Sequence, residues 1–310
     1  MEIAALVCND KLNYESAFQI YSLYEYLKHK NNQVQIIDYN LLDRSKKSFS
    51  QKKKNELLYN FLDDNVVMTS IRYKTIEQIE DNPPLADKYI ISNATYHDLN
   101  METLNENYYA YAIKDIGAEQ LNNIKDKYKK VSTLFDIKGE EVKQVADPMF
   151  LLSREDWYDF ASKSNIKAEK ENYILVYSEL VTEDMLKYAK MLSENNNAKI
   201  YIVADKVEQL FFKGKRINNA LPYDLANLVL NAQEVITSCD DGIKLSLIFE
   251  KGLHIFNDVE RIEQVELINE FNLENRIVDS TDRVVNSNYE YNLSIDKIEE
   301  LRNNAKSILE

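Results

Sequence analysis

The sequence predicts two consecutive parallel α/β domains, Rossmann-like in build and facing each other across a cleft. Three observations predict it. Short apolar runs alternate with helix-periodic stretches from the first residues. A polar stretch, KSNIKAEKEN (163–172), interrupts the alternation, which restarts at Tyr173. The length, 310 residues, favours two domains of about 150 residues over one core. The expected division is 1–168 and 169–310, with a break between 160 and 175 and the last helices crossing back to the first domain.

The elements of the first half follow in order. EIAALVC (2–8) is apolar throughout, as suits a strand buried on both faces. From Asn13 to Lys30, Ala17, Phe18, Ile20, Tyr21, Tyr24 and Leu27 recur at helical spacing. VQIIDY (34–39) is the next strand, and the three pieces make a βαβ unit with parallel strands. Lysine-rich helical sequence is expected up to about Glu80, where Pro83 and Pro84 end it. DKYIISN (87–93) and VKQVADP (142–148) read as strands, with a helical stretch at 118–129 between them. Ser153 and Asp156 form a capping-box pattern at the start of a helix.

The second half repeats the alternation. YILVYSEL (173–180), KIYIVAD (199–205), EVITSC (234–239) and GLHIFN (252–257) read as strands. Residues 183–195, 222–232 and about 243–250 read as the helices between them, and two more helical segments end the chain. Ile295, Ile298, Leu301 and Ile308 form an apolar stripe on the last one. Ligands of such sheets bind beyond the C-terminal ends of the strands.

Composition excludes several classes. No apolar run reaches the roughly 18 residues a membrane span needs. The opening MEIAALVCND has no basic flank and no long apolar core, so a leader peptide is not expected. Cys8 and Cys239 make no disulfide framework, and His29, His97 and His254 show no metal spacing. The five glycines fall in no dinucleotide or P-loop pattern, so neither a cofactor nor a metal is expected. A net charge of −14 argues against nucleic-acid binding. The segment SKKSFSQKKK (45–54), with five lysines, runs the other way: the bland reading is a solvated loop or helix start, the sharper one a patch touching an anionic membrane surface or glycan.

Several of these stretches resemble the polysaccharide pyruvyl transferase family. NYESAFQIYSLYEYL (13–27) is similar to the family's NYGA–LQAYAL–YL opening, at Asn13, Tyr14, Gln19, Tyr21, Leu23, Tyr26 and Leu27. ADPMFLLSREDW (146–157) resembles the DPT–LLS–EEW element. RYKTIEQIEDNPPLADKYII, PYDLANLVLNAQEVITS and LSLIFEKGLHIF match in type and order, so the likeness spans most of the chain. It implies a GT-B-like fold and transfer of a pyruvyl group from phosphoenolpyruvate to a sugar of a cell-surface glycan.

The positions that carry function in that family are substituted. The NYG turn is Asn13–Tyr14–Glu15, and the corner after the middle strand holds Asn93. Leu134 stands where the phosphate-binding arginine is expected, with Lys114 as the substitute cation. The TNSFHG corner is TSCDDG (237–242), so Asp241 takes the histidine's place, with Asp240 beside it and Gly242 retained. Asp241 is thus the candidate catalytic residue. Asn13, Tyr14, Asn93, Lys114, Asp240 and Gly242 are the candidate substrate contacts. The bland readings are a helix N-cap for Asp241, a structural turn for Asn13 and Tyr14, and a small buried filler for Cys239. An aspartate in place of the histidine repels phosphoenolpyruvate by roughly 1–4 kcal/mol at about 4 Å. Weak binding of phosphoenolpyruvate is therefore expected.

Three functions remain open on the residues. The first is a pyruvyl transferase with a drifted site. The second is a non-catalytic relative assisting glycan assembly. The third is a glycosyltransferase using a nucleotide sugar. The expected acceptor is a glycan or lipid-linked sugar, the expected assembly a homo-oligomer, and the expected location the cytoplasm, at the inner face of the membrane.

Overall fold

The computed structural model describes the chain except residues 9–10, 40–48, 97, 100–106, 169–171, 210–211, 257–260, 282 and 286–290. His97 and residues 45–48 of the lysine-rich segment lie outside the described residues. The chain divides into two compact units, Met1–Leu152 with Ile298–Glu310, and Ser153–Lys297.

The first unit is built on a seven-stranded parallel sheet of order β3-β2-β1-β4-β5-β6-β7. Its strands are β1 Glu2–Val7, β2 Gln33–Tyr39, β3 Met68–Tyr73, β4 Lys88–Ser92, β5 Tyr108–Ile113, β6 Lys130–Thr133 and β7 Lys143–Gln144. Helices α1 Tyr14–His29, α2 Phe49–Asn65, α3 Ile76–Asp81 and α4 Ala118–Lys125 connect them. β1 is buried from Ile3 to Val7, as its unbroken apolar run requires, and β4 is buried throughout, its polar ends Lys88 and Ser92 included.

The expectation of helix up to Glu80 is corrected by β3. Its Met68, Thr69, Ile71 and Tyr73 are strand-type residues, and the lysine-rich composition upstream hides the change of period. β5 was not predicted either. The 142–148 strand shrinks to Lys143–Gln144, because Asp147 caps a 3-10 turn at Pro148–Phe150.

The second unit carries a five-stranded parallel sheet of order β10-β9-β8-β11-β12. Its strands are β8 Tyr173–Val181, β9 Lys199–Val207, β10 Lys215–Arg216, β11 Glu234–Thr237 and β12 Gly252–Ile255. Helices α5 Arg154–Ser162, α6 Glu183–Asn196, α7 Pro222–Asn231, α8 Asp240–Ile248 and α9 Ile262–Glu270 surround it. The capping box at Ser153 and Asp156 forms, each side chain accepting from the other residue's backbone N–H. The unit begins at Ser153 rather than after the polar stretch. α5 belongs with it because Phe160 meets Tyr223 of α7 at 6.2 Å and Ser164 donates to Asp224 at 2.6 Å.

The last helix, α10, runs from Tyr291 to Leu309, and its residues from Ile298 onward belong to the first unit. There Ile298, Leu301, Ala305, Ile308 and Leu309 are buried. Each of the large ones contributes roughly 1.5–3 kcal/mol by burial. Arg302 donates to the carbonyls of Phe150 and Leu152, and Lys88 to those of Ile308 and Leu309. The lysine thus sits where the helix dipole favours a cation. No described helix is long and apolar enough to cross a membrane.

Candidate functional site

Each sheet has one place where strand order reverses, and ligands of open α/β sheets bind beyond the strand ends there. In the second unit that place lies between β8 and β11. The two strands are in register through Thr237 and Tyr177. Just beyond, the hydroxyls of Ser178 and Ser238 share a hydrogen bond of 2.7 Å. The TSCDDG corner therefore occupies this edge.

The helix after the corner starts earlier than its apolar period suggests. α8 begins at Asp240, with Cys239 as its N-cap residue, so both acids lie in the first turn. Acids there complement the positive end of the helix dipole. Both are buried. Asp241 is thus neither the cap nor an open loop residue: Tyr177 Oη donates to its Oδ2 at 2.6 Å, and the Gly242 N–H to its Oδ1 at 3.1 Å. Asp240 accepts from Arg261 at 2.7 Å and from Gln264 Nε2 at 2.8 Å. Gly242 is required for space. A Cβ there would lie 2.4 Å from Thr237 Oγ1 and 2.9 Å from Tyr177 Cδ1.

Cys239 is no nucleophile. Burial, and then the charge of Asp241, pushes its thiol well above the ordinary range, away from the reactive thiolate. Chemically the corner offers acceptors and hydroxyls, with the half-exposed Arg261 beside them. Such a set suits sugar or ribose hydroxyls better than a compact anion.

The first unit reverses order between β1 and β4. There Cys8 N–H donates to Ser92 O at 2.9 Å. Asn93, next in the chain, adopts φ 55°, a left-handed conformation that asparagine tolerates. Its amide donates to Cys8 O at 3.3 Å and Gln19 Oε1 at 3.1 Å, and Gln19 donates in turn to Asp147 Oδ2 at 3.0 Å. Asn13 caps α1, its side chain accepting from Ser16 N–H at 2.9 Å while Ser16 Oγ accepts from Asn13 N–H at 2.9 Å. Tyr14 is buried, with Lys54 4.8 Å over its ring. Lys114 is half-buried, and its N–H donates to Ala94 O at 3.0 Å.

Asn93 is therefore joined to α1 through Gln19, and Asp240, Asp241 and Gly242 share one turn. The partners Tyr177, Arg261, Gln264 and Asp147 were not singled out from sequence. For the last, the DP pair after an apolar run was the available signal. Among the described residues no group of histidines, cysteines and acids could hold a metal ion.

No protein-family model and no curated protein matches the chain. Solved structures do. UDP-N-acetylglucosamine 2-epimerase from Rickettsia bellii is 11% identical with a TM-score of 0.59, over 100% of this chain and 97% of that one. The Methanocaldococcus jannaschii UDP-GlcNAc 2-epimerase, solved with UDP-GlcNAc and UDP, is 12% identical with a TM-score of 0.52, over 98% and 93%. The S. aureus MnaA structure with UDP gives 10% and 0.52 over 98% and 90%. The chain has this GT-B-like fold: two parallel-sheet α/β domains.

Proposed function

We propose that this chain binds a nucleotide sugar and works in the assembly of a cell-surface glycan, in the manner of a glycosyltransferase or sugar epimerase. The observation that carries the reading is the likeness of fold, over nearly the full length of both chains, to UDP-GlcNAc 2-epimerases, one of them solved with UDP-GlcNAc and UDP. The acidic corner agrees in chemistry. A nucleotide sugar spreads its recognition over base, ribose and sugar, so an edge rich in acceptors can meet its hydroxyls.

Phosphoenolpyruvate is small, and its charges have to be met together. One carboxylate at about 4 Å costs roughly 1–4 kcal/mol of repulsion, and Asp241 is such a group, whereas Asp240 is paired with Arg261. In this reading the likeness to pyruvyl transferases reflects shared architecture rather than a shared substrate. The proposed acceptor is a glycan or lipid-linked sugar, and the proposed setting is the cytoplasm at the inner membrane face.

A second reading, a non-catalytic assistant of glycan assembly, is favoured by one observation. Asp240 and Asp241 are held by Arg261, Gln264 and Tyr177, so the protein's own groups already answer the corner's charges.

Calorimetry at low salt, where screening is weakest, separates these readings. UDP and UDP-GlcNAc are expected to bind and phosphoenolpyruvate is not. Low-micromolar binding of phosphoenolpyruvate with no response to UDP would return the chain to pyruvyl transfer. Silence from all three favours the non-catalytic reading.

A further inference from the structure

The strands of the first sheet are parallel, so they all start on one edge, and the helices that return from them end there. One side of that edge is basic. Lys130 opens β6 with Lys129 before it, Lys143 opens β7, Lys30 follows α1, and Lys306 lies in the last turn of α10. Contacts fix the grouping. Lys130 donates to Ser307 O, Lys143 donates to Ser307 Oγ at 3.0 Å, and Lys30 pairs with Glu310 at 2.6 Å. Lys129 and the buried Lys88 lie over the same Tyr109 ring, at 5.7 and 4.1 Å. All of these lysines except Lys88 are exposed. Three residues before Lys88, Leu85 is 86% exposed. Asp87 accepts from Glu2 N–H at 2.9 Å, so the basic stretch ends at β1.

We propose that this edge is the face by which the chain docks on an anionic lipid bilayer. The chain carries 52 acids against 38 lysines and arginines, so five exposed lysines on one edge are a segregation of charge against the overall sign. Screening over about 8 Å at physiological salt keeps the acidic remainder from cancelling their attraction to a surface in contact. An ammonium has three donors, so the bonds of Lys130 and Lys143 to α10 still leave them donors for lipid phosphates. A lysine near an anionic leaflet strengthens binding about 5-fold. Lys30 is answered by Glu310, which leaves four, or a preference of roughly 10²- to 10³-fold for an anionic over a neutral bilayer. Leu85 decides between a bilayer and a dissolved polyanion, because the interfacial layer of a bilayer takes an apolar side chain and a polyanion does not.

The docking face specifies the membrane setting proposed above and does not rest on the nucleotide-sugar site, which UDP titrated without vesicles tests separately. The experiment is co-sedimentation of the full chain with vesicles of phosphatidylcholine, alone or with about 30% phosphatidylglycerol. Binding to the anionic vesicles alone is expected, and its loss between about 0.1 and 0.5 M salt. Lys129→Glu with Lys306→Glu should weaken it by about 25-fold or more. The same reversal at Lys52 and Lys53, exposed at the start of α2 and away from this edge, should leave it unchanged. No binding to either vesicle overturns the docking face and the membrane setting together. Binding that survives Lys129→Glu with Lys306→Glu, or that falls equally in both double variants, overturns the face alone. Binding to soluble polyphosphate as tight as to the anionic vesicles overturns the lipid assignment. If the variants do not fold, lysine acetylation of the native chain decides: protection of Lys129, Lys130, Lys143 and Lys306 by anionic vesicles supports the proposal, and protection of Lys52 and Lys53 instead overturns it.

Discussion

Tyr177 donates its hydroxyl to Asp241 at 2.6 Å, joining the central strand of the second unit to the first turn of the helix after the acidic corner. Both groups are buried, so the bond is charge-assisted and poorly screened. Removing the hydroxyl leaves a buried carboxylate one donor short. Tyr177→Phe is expected to destabilise the second unit by roughly 1.5–3 kcal/mol. Denaturant unfolding measures this, and a loss below roughly 0.5 kcal/mol would show that other donors carry Asp241.

The glycine beside that aspartate sets two effects against each other. Replacing a helical glycine by alanine ordinarily gains up to about 1 kcal/mol. Here the new Cβ would meet Thr237 Oγ1 at 2.4 Å and Tyr177 Cδ1 at 2.9 Å, inside any real contact distance. Overpacking of that kind costs roughly 1–3 kcal/mol, so the clash wins. Gly242→Ala should lower the melting temperature, and a neutral or raised value would mean that Thr237 turns away at little cost.

Much of the fold was legible because burial and period agreed. The run from Ile3 to Val7 is short and apolar throughout, which suits a buried strand, and Ser153 with Asp156 announced its helix through side chains that bond locally. β3 was not legible, because Met68–Tyr73 is short and follows a long lysine-rich helix. β5 was missed too, although its Tyr108, Tyr109, Tyr111 and Ile113 are strand-type residues and the propensity was present. The acidic corner could be placed at a strand-to-helix turn from sequence alone. Its chemistry could not, since Tyr177, Arg261 and Gln264 arrive from 64, 21 and 24 residues away. Only the sheet register and the docking of α9 bring them in.

A second buried network sits at the start of β11 and β12. Tyr188 Oη accepts from Val285 N–H at 3.0 Å and shares a hydrogen bond of 2.9 Å with His254 Nδ1, while His254 Nε2 shares one of 3.0 Å with Glu234 Oε2. All three side chains are buried. Tyr188→Phe should cost roughly 1–3 kcal/mol, because it strands a backbone donor and a ring nitrogen together. Combined with Glu234→Gln, the losses should be non-additive by roughly 0.5–3 kcal/mol. Additive losses in the double-mutant cycle would show three separate bonds rather than a network.

The last expectation concerns alkaline pH. Burial, and then the charges of Lys130 and Lys129, lowers Lys88 from 10.5 to about 8. Between those values the folded chain has released this proton and the unfolded chain keeps it. The unfolded state binds more protons, so this contribution to stability rises with pH. Below pH 8 the burial cost is present in full, and above 10.5 it is gone. The tyrosines act in the opposite sense. Burial, and then the neighbouring Tyr89, raises Tyr108 from 10.0 to about 12, and burial leads the upward shifts of Tyr26, Tyr111 and Tyr128. Above pH 10 the unfolded phenols lose protons that the folded ones hold, so stability falls. Denaturant unfolding from pH 7.5 to 11.5 should therefore show a rise that begins near 8 and a decline above 10. Lys88→Met should remove the rise and leave the decline. A rise that survives in Lys88→Met would assign it to another group.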